Sequence, residues 1–296
     1  MKCWGKKIDM KNKKVICWWS GGITSAVACK LTIDLYGKDR CSVVFIDTKN
    51  EDEDTYRFLL DCEKWYGLPI EIITGISERF PTIQSVWRHY KSLNTATGSI
   101  CSSTLKRDVR LQWEKENKGG WLHQVFGFDL DESKRAKGMS MNHKQTKAIY
   151  PLMMYGIMKK ECIKIVEEAG IEIPRAYKLG YSNNNCLQTM CIKGGIGYWQ
   201  KVGRDDPSKF NAMADLEHEL TDDKGEPVTM LKDQSKGGGL VFLKPHPDYP
   251  EIKDISIMKG REPKPLTDCN GFCGTNLFGK KNETEDEINF PKDNLQ

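Results

Sequence analysis

The chain has 296 residues, of which 29% are charged, with a formal net charge of +4, so it is long enough for one large or two modest domains. That small excess does not mark a nucleic-acid binder, and no apolar run approaches the roughly 18–20 residues needed to span a bilayer. The start, Met1-Lys-Cys-Trp-Gly-Lys-Lys, lacks the apolar stretch of a secretion signal, so a cytoplasmic protein without membrane contact is expected. In a reducing compartment eleven cysteines argue for buried thiols, metal ligands or sulfur chemistry rather than disulfides.

The first element is the apolar run Val15-Ile-Cys-Trp-Trp19, which reads as a buried strand. It breaks at Ser20-Gly21-Gly22 and resumes as a helix through Ala26, Val27, Ala28 and Leu31 to about Tyr36. Strand, small-residue turn and helix in that order make a phosphate cradle: the glycines let backbone N–H groups approach an anion, and the helix N-terminus adds a favourable dipole. Ser20, Thr24 and Ser25 add hydroxyls. No Gly-Lys-Ser/Thr follows, so this is not a Walker loop.

A second apolar strand, 41–46, carries Asp47-Thr48 at its C-terminal end, where a carboxylate is placed to hold Mg²⁺ or a ribose hydroxyl, or merely to cap the next turn. A helix over 52–66 and a strand over 68–73 continue the alternation, which predicts an α/β fold with a doubly wound parallel sheet and right-handed crossovers. The stretch 75–98 reads as irregular. Beyond it come a helix to about 116, a strand over 121–128, a helix opening at Asp129, and another over 157–170. A cysteine-bearing loop follows Gly180, and a helix spans 207–220. The expected organisation is a nucleotide-binding domain over 1–203, a C-terminal extension with a cysteine pair over 204–279, and a flexible polar tail over 280–296.

Cys17, Cys29, Cys41, Cys62 and Cys162 fall inside predicted elements and read as small core residues. Cys186-x₄-Cys191 and Cys269-x₃-Cys273 lie in loops punctuated by Asn or Gly, a soft quartet suited to Zn²⁺ or an iron–sulfur cluster, with buried thiols as the plain alternative. Cys101 is a fifth candidate, as ligand or reactive thiol. Lys106, Arg107, Arg110 and Arg135 are cations on predicted helices, which a solvated helix face also explains, and Glu132 suits a helix N-terminal charge. The histidines show no ligand-like spacing and read as structural.

Five segments in order carry a family resemblance over about 15–200. Ser20-Gly21-Gly22-Ile23-Thr24-Ser25 resembles the SGGxDS loop of the N-type ATP pyrophosphatases, the PP-loop group, with Thr24 where Asp is usual. Val43-Val-Phe-Ile-Asp47-Thr48 with Glu51-Asp52, Cys101-Ser-Ser-Thr-Leu105-Lys106, Gly127-Phe-Asp129-Leu-Asp-Glu132-Ser133-Lys-Arg135, and Pro151 with Tyr177, Gly180, Cys186 and Cys191 are similar to the PAPS (phosphoadenosine phosphosulfate) reductase branch. Asp129 stands where that branch has Arg, and the Glu-Cys-Gly-Leu-His ending of assimilatory reductases is missing. The Trp-Trp-Ser-Gly-Gly form of the loop resembles phage-type members, and the chain is similar to the sulfur-transfer component of DNA phosphorothioation.

The resemblance implies an adenine nucleotide, ATP or PAPS-like, as partner with Mg²⁺. Ser20, Gly21, Gly22, Thr24, Ser25, Asp47 and Glu132 would bind it, and Lys106, Arg135 and Asp47 would be catalytic. It implies an adenylating transferase that releases pyrophosphate and AMP, with sulfur transfer to an unidentified nucleic acid or metabolite. A sulfonucleotide reductase and a nucleotide-binding module without turnover are the alternatives. The acceptor and the oligomeric state stay open.

Overall fold

The structure, a computed structural model, describes residues 15–95, 98–184, 186–235, 237–264 and 266. β1 (Val15–Trp19) leads into α1 (Ile23–Tyr36), β2 (Cys41–Asp47), α2 (Glu53–Tyr66) and β3 (Ile70–Thr74). Then come α3 (Ile83–Tyr90), the antiparallel ribbon β4 (Asn94–Thr95) and β5 (Gly98–Ser99), and a broken helix. Its parts are α4 (Ile100–Ser102), a π-helical turn (Ser103–Arg107) and α5 (Asp108–Glu116). β6 (His123–Val125), α6 (Ser133–Asn142), β7 (Ala148–Ile149), α7 (Pro151–Tyr155) and α8 (Lys159–Glu168) complete the central unit. Beyond it lie α9 (Arg175–Lys178), α10 (Ile196–Asp205), α11 (Pro207–Lys224), β8 (Leu231–Lys232), β9 (Leu240–Phe242) and β10 (Lys253–Asp254).

The expected doubly wound sheet is present: five parallel strands in the order β3-β2-β1-β6-β7. β1 is central because both of its faces are apolar. Val15, Cys17 and Trp19 face the core beneath α1, α2 and α8, while Ile16 and Trp18 face Trp113, Phe126 and Tyr150 on the other side. Each fully buried large apolar side chain contributes about 1.5–3 kcal/mol relative to exposure. Cys17, Cys29, Cys41, Cys62 and Cys162 all lie in the first of these cores, as their positions predict. Burial pushes the Cys17 thiol well above its ordinary range, which suits a packing role.

The chain winds from β1 through β2 to β3 on one side, and β6 and β7 lie on the other. The direction reverses between β1 and β6, and an open parallel sheet binds ligands at that crevice. Gly127, just after β6, is pressed onto the first turn of α1: a Cβ there would stand 2.6 Å from the Ser25 nitrogen and Cα.

A third core joins α3 and the π-helical turn to α10, α11 and the small sheet β10-β9-β8. Phe80, Trp87 and Leu105 share it with Trp199, Leu220 and Val241, so residues on both sides of position 203 pack together. Several elements differ from the sequence expectation. The stretch 75–98 contains α3, capped by a reciprocal Thr82–Ser85 box. α10 precedes the expected helix. The Gly- and Pro-rich segment after α11 forms a three-stranded sheet around a buried glutamate, Glu217, which accepts from Met230 N and Leu243 N at 2.7 Å each.

Candidate functional site

The loop after β1 is tied to itself. The Ser25 hydroxyl accepts from Ser20 N and Ser20 Oγ, both at 3.0 Å, and donates to the Gly22 carbonyl at 2.8 Å. Gly21 takes φ +84°, which glycine adopts without strain. Thr24 and Ser25 are buried on the first turn of α1, and Ile23 N donates to the Tyr177 hydroxyl at 3.3 Å. Ser25 is therefore an internal staple of the loop, and the backbone supplies the cradle. Ser20, half-buried, is the most exposed hydroxyl of the three.

Asp47 lies at the end of β2 with its side chain fully buried. Its carboxylate accepts from Lys49 N (2.7 Å) and from the Tyr56 hydroxyl (3.0 and 3.1 Å), and it pairs with Lys49 Nζ at 2.6 Å. Burial and this carboxylate hold the Tyr56 phenol firmly protonated. An oxygen pair already saturated by an amide, a phenol and an ammonium does not fit a Mg²⁺ ligand. Asp47 anchors the loop that follows β2 instead.

Glu51, in that loop, is a hub. Its carboxylate accepts from Thr48 Oγ1 (2.7 Å) and Asn50 N (3.0 Å), and meets Lys106 Nζ at 3.4 Å. Lys106 reaches it because the π-helical turn rotates 103–107 relative to the flanking helices. Arg110, which reads as a surface cation, is fully buried and paired with Glu114, while Arg107 turns to its neighbour Asp108. Desolvation is the largest influence on Arg110 and pulls its pKa down, which Glu114 opposes.

At the end of β6, Arg135 pairs with Glu132 at 2.6 Å and lies over the Phe128 ring at 4.5 Å. Asp129, the departure from the family pattern, is buried and accepts from Asp131 N and Lys159 N. It caps the turn before α6 and the start of α8, a task that Arg cannot perform.

The cysteine loop docks directly on these elements. Asn184 Nδ2 donates to the Gly21 carbonyl (2.9 Å) and Thr55 Oγ1 (3.0 Å). Gln188 Nε2 donates to the Glu51 carbonyl at 3.0 Å, and Asn50 Nδ2 to Thr189 Oγ1 at 2.7 Å. Beside this seam lies a pocket lined by Cys101, Cys186 and Cys191 together with Thr48, Ser99, Ser102 and Lys106. Ile83, Trp87, Met190 and Ile192 form its apolar wall. The fold thus brings Cys101 to the Cys186–Cys191 pair, whereas Cys269 and Cys273 lie outside the described residues.

Three thiolates on one zinc, at about 2.3 Å each, would stand within about 4 Å of one another. Among the described residues the three pocket cysteines do not come within 4.8 Å of one another as a set. These three alone are not gathered on one ion, and the other two cysteines of the expected site, Cys269 and Cys273, lie outside the described residues. The trio that does meet that distance is Asp222, His246 and Asp248. There His246 Nδ1 accepts from Asp248 N at 3.2 Å, and Nε2 stands 3.3 Å from Asp222 Oδ1.

Sequence reasoning missed Asn184, Gln188 and Asn50 as connectors, and Ile83 and Trp87 as pocket walls. No local signal marks a side chain whose partner lies more than a hundred residues away.

Residues 14–100, which hold β1, its loop, Asp47 and α3, match the family model of the phosphoadenosine phosphosulfate reductase domain. This segment is similar to the PAPS reductase-like branch of the PP-loop superfamily. The chain is 25% identical over 218 residues to an uncharacterised protein of Methanocaldococcus jannaschii, covering 71% of this chain and 42% of that protein. It is also 25% identical over 234 residues to the argininosuccinate synthase of Dictyoglomus thermophilum, covering 75% of this chain and 57% of that enzyme. The chain thus spans about half the length of the curated relatives it matches. Among solved structures, the phosphoadenylyl-sulfate reductase of Candida auris in its phosphate complex aligns with TM-score 0.45 at 14% identity, over 60% of this chain and 83% of that one. Adenine nucleotides are the ligands of the family, and its members are generally enzymes. No helix among the described residues is long and apolar enough to cross a membrane.

Proposed function

We propose that the protein binds ATP at the Ser20–Ser25 loop and activates an acceptor by adenylation, with sulfur then delivered from the adjoining thiol pocket. The observation that carries this reading is the pocket's position. Cys101, Cys186 and Cys191 share it with Thr48 and Lys106, and the loop bearing two of them holds the Gly21 carbonyl.

In the first step an acceptor oxygen attacks the α-phosphorus, the bond to the bridging oxygen breaks, and pyrophosphate leaves with its electron pair. Backbone N–H groups at the start of α1 stabilise the charge that develops on the phosphoryl oxygens. Lys106 supplies a cation on the pocket side, and Arg135, oriented by Glu132 and Phe128, supplies another at the end of β6. In the second step sulfur attacks the activated carbon and AMP departs. The soft donors Cys101, Cys186 and Cys191 fit an iron–sulfur cluster, which when bound would supply sulfur or electrons at the pocket.

A second reading, reductive cleavage of a sulfonucleotide to sulfite, is favoured by the family that residues 14–100 match. The test incubates anaerobically purified protein with ATP, a sulfide source and candidate nucleic-acid or metabolite acceptors, or with PAPS and a dithiol reductant. AMP and pyrophosphate released in equal amounts support adenylation, and sulfite from PAPS supports the reductase. Nucleotide binding with neither product supports a module without turnover.

A further inference from the structure

Asn184 occupies a position that neither the phosphate cradle nor the thiol pocket explains alone. It is buried, 163 residues from Gly21 in sequence, and its one amide nitrogen serves both the Gly21 carbonyl and Thr55 Oγ1. The orientation is fixed by chemistry, since a flipped amide would set its carbonyl against that of Gly21. Its Oδ1 is buried with no hydrogen-bond partner. A buried orphan of this kind calls for an explanation.

The explanation lies in what the residue joins. Gly21 sits in the left-handed region at the apex of the loop. Asn184 is two residues from Cys186, and Gln188 and Thr189 fasten the remainder of the cysteine loop to Asn50 and Glu51. A change in the Gly21 peptide on anion binding therefore pulls on the segment bearing Cys186.

We propose that Asn184 is a positioning residue that couples occupancy of the phosphate loop to the state of the pocket cysteines. This rests on the reading that the loop takes an adenine nucleotide. MgATP then stiffens the cysteine loop, and an adduct on Cys186 weakens MgATP binding.

The test uses the full chain and two readouts: MgATP affinity by calorimetry, and the iodoacetamide alkylation rate of Cys186 by peptide mass spectrometry. In the unaltered protein saturating MgATP is expected to slow alkylation by at least about five-fold, the low end of measured couplings. In Asn184→Ala the slowing is expected to shrink to less than about two-fold while MgATP still binds. Thr55→Val, which removes one of the two acceptors at nearly constant volume, is expected to give an intermediate value and serves if Asn184→Ala does not fold. Binding without any change in the rate for the unaltered protein would overturn the inference and spare the nucleotide reading. Undiminished protection in Asn184→Ala, or in Thr55→Val where that variant alone folds, would mean direct shielding by the ligand and would also overturn it. Absence of MgATP binding would overturn both.

Discussion

Lys106 Nζ and Glu51 Oε1 stand 3.4 Å apart with both side chains largely withdrawn from solvent, at 12% and 4% exposure. The pair spans two elements that sequence alone leaves unrelated, the loop after β2 and the π-helical turn. It sets the charge of the pocket mouth: Lys106 offers a cation, and Glu51 offsets it until an anion competes.

Glu51→Gln removes the offset. The variant is expected to lose about 1–3 kcal/mol of stability, because a nearly buried ammonium loses its charged partner and Thr48 keeps a weaker acceptor. It is also expected to bind inorganic pyrophosphate more tightly, with steeper salt dependence. Urea melts and calorimetry at two ionic strengths check both; unchanged pyrophosphate affinity would place Lys106 away from the anion.

Gly127→Ala tests the packing of β6 on the phosphate loop. The new Cβ would meet Ser25 backbone atoms at 2.6 Å, and backbone cannot step aside as a side-chain tip can. A cost of about 1–3 kcal/mol is expected, together with weaker nucleotide binding. Gly239→Ala, with nothing within 4 Å of its Cβ, is the control and should be close to neutral. Equal effects from the two substitutions would contradict the close approach.

Glu217 gives a pH dependence. Burial pushes its carboxyl up to about 8 in the fold, against the lowering effect of the Leu243 and Met230 amides. Its ordinary value is 4.5, so below that pH both states hold the proton and no penalty applies. Between about 4.5 and 8 the unfolded chain releases the proton while the folded chain keeps it. This group's contribution to stability therefore falls as pH rises, by at most about 1.4 kcal/mol per pH unit, and levels off above 8. Urea melts from pH 5 to 9 should show Glu217→Gln with a flatter profile than the parent, and parallel profiles would count against the shift.

The thiol pocket predicts a specific loss. Cys101→Ala and Cys186→Ala should each lower iron and acid-labile sulfide in anaerobically purified protein, while changing ATP affinity less than about three-fold. Elemental analysis with the visible spectrum reads the first, and calorimetry the second. Zinc in place of iron, lost equally in both variants, would count against an iron–sulfur cluster in the pocket.

The sequence by itself determined the central sheet and its loop. Val15 to Trp19 is apolar on both faces, Ser20-Gly21-Gly22 can only break such a strand, and the helical pattern of 23–36 restarts at once; each signal is local. α3 escaped notice because eight residues give barely two turns of periodicity, and Ile83, Val86 and Trp87 become a face only when α10 and α11 cover them. The family segments were likewise legible, but not the duties of individual residues. Arg110 reads as a surface cation and is buried against Glu114, while Asp129 reads as a lost Arg and is a cap. Asp47 reads equally as a Mg²⁺ ligand, a ribose contact or a turn cap, and its carboxylate meets Lys49 and Tyr56. Only the tertiary structure joined Cys101 to Cys186 and Cys191, and Asn184 to Gly21. Those contacts are decided by how helices of one core settle against loops of another, and a chain's periodicity records which side of an element is buried, not what it meets there.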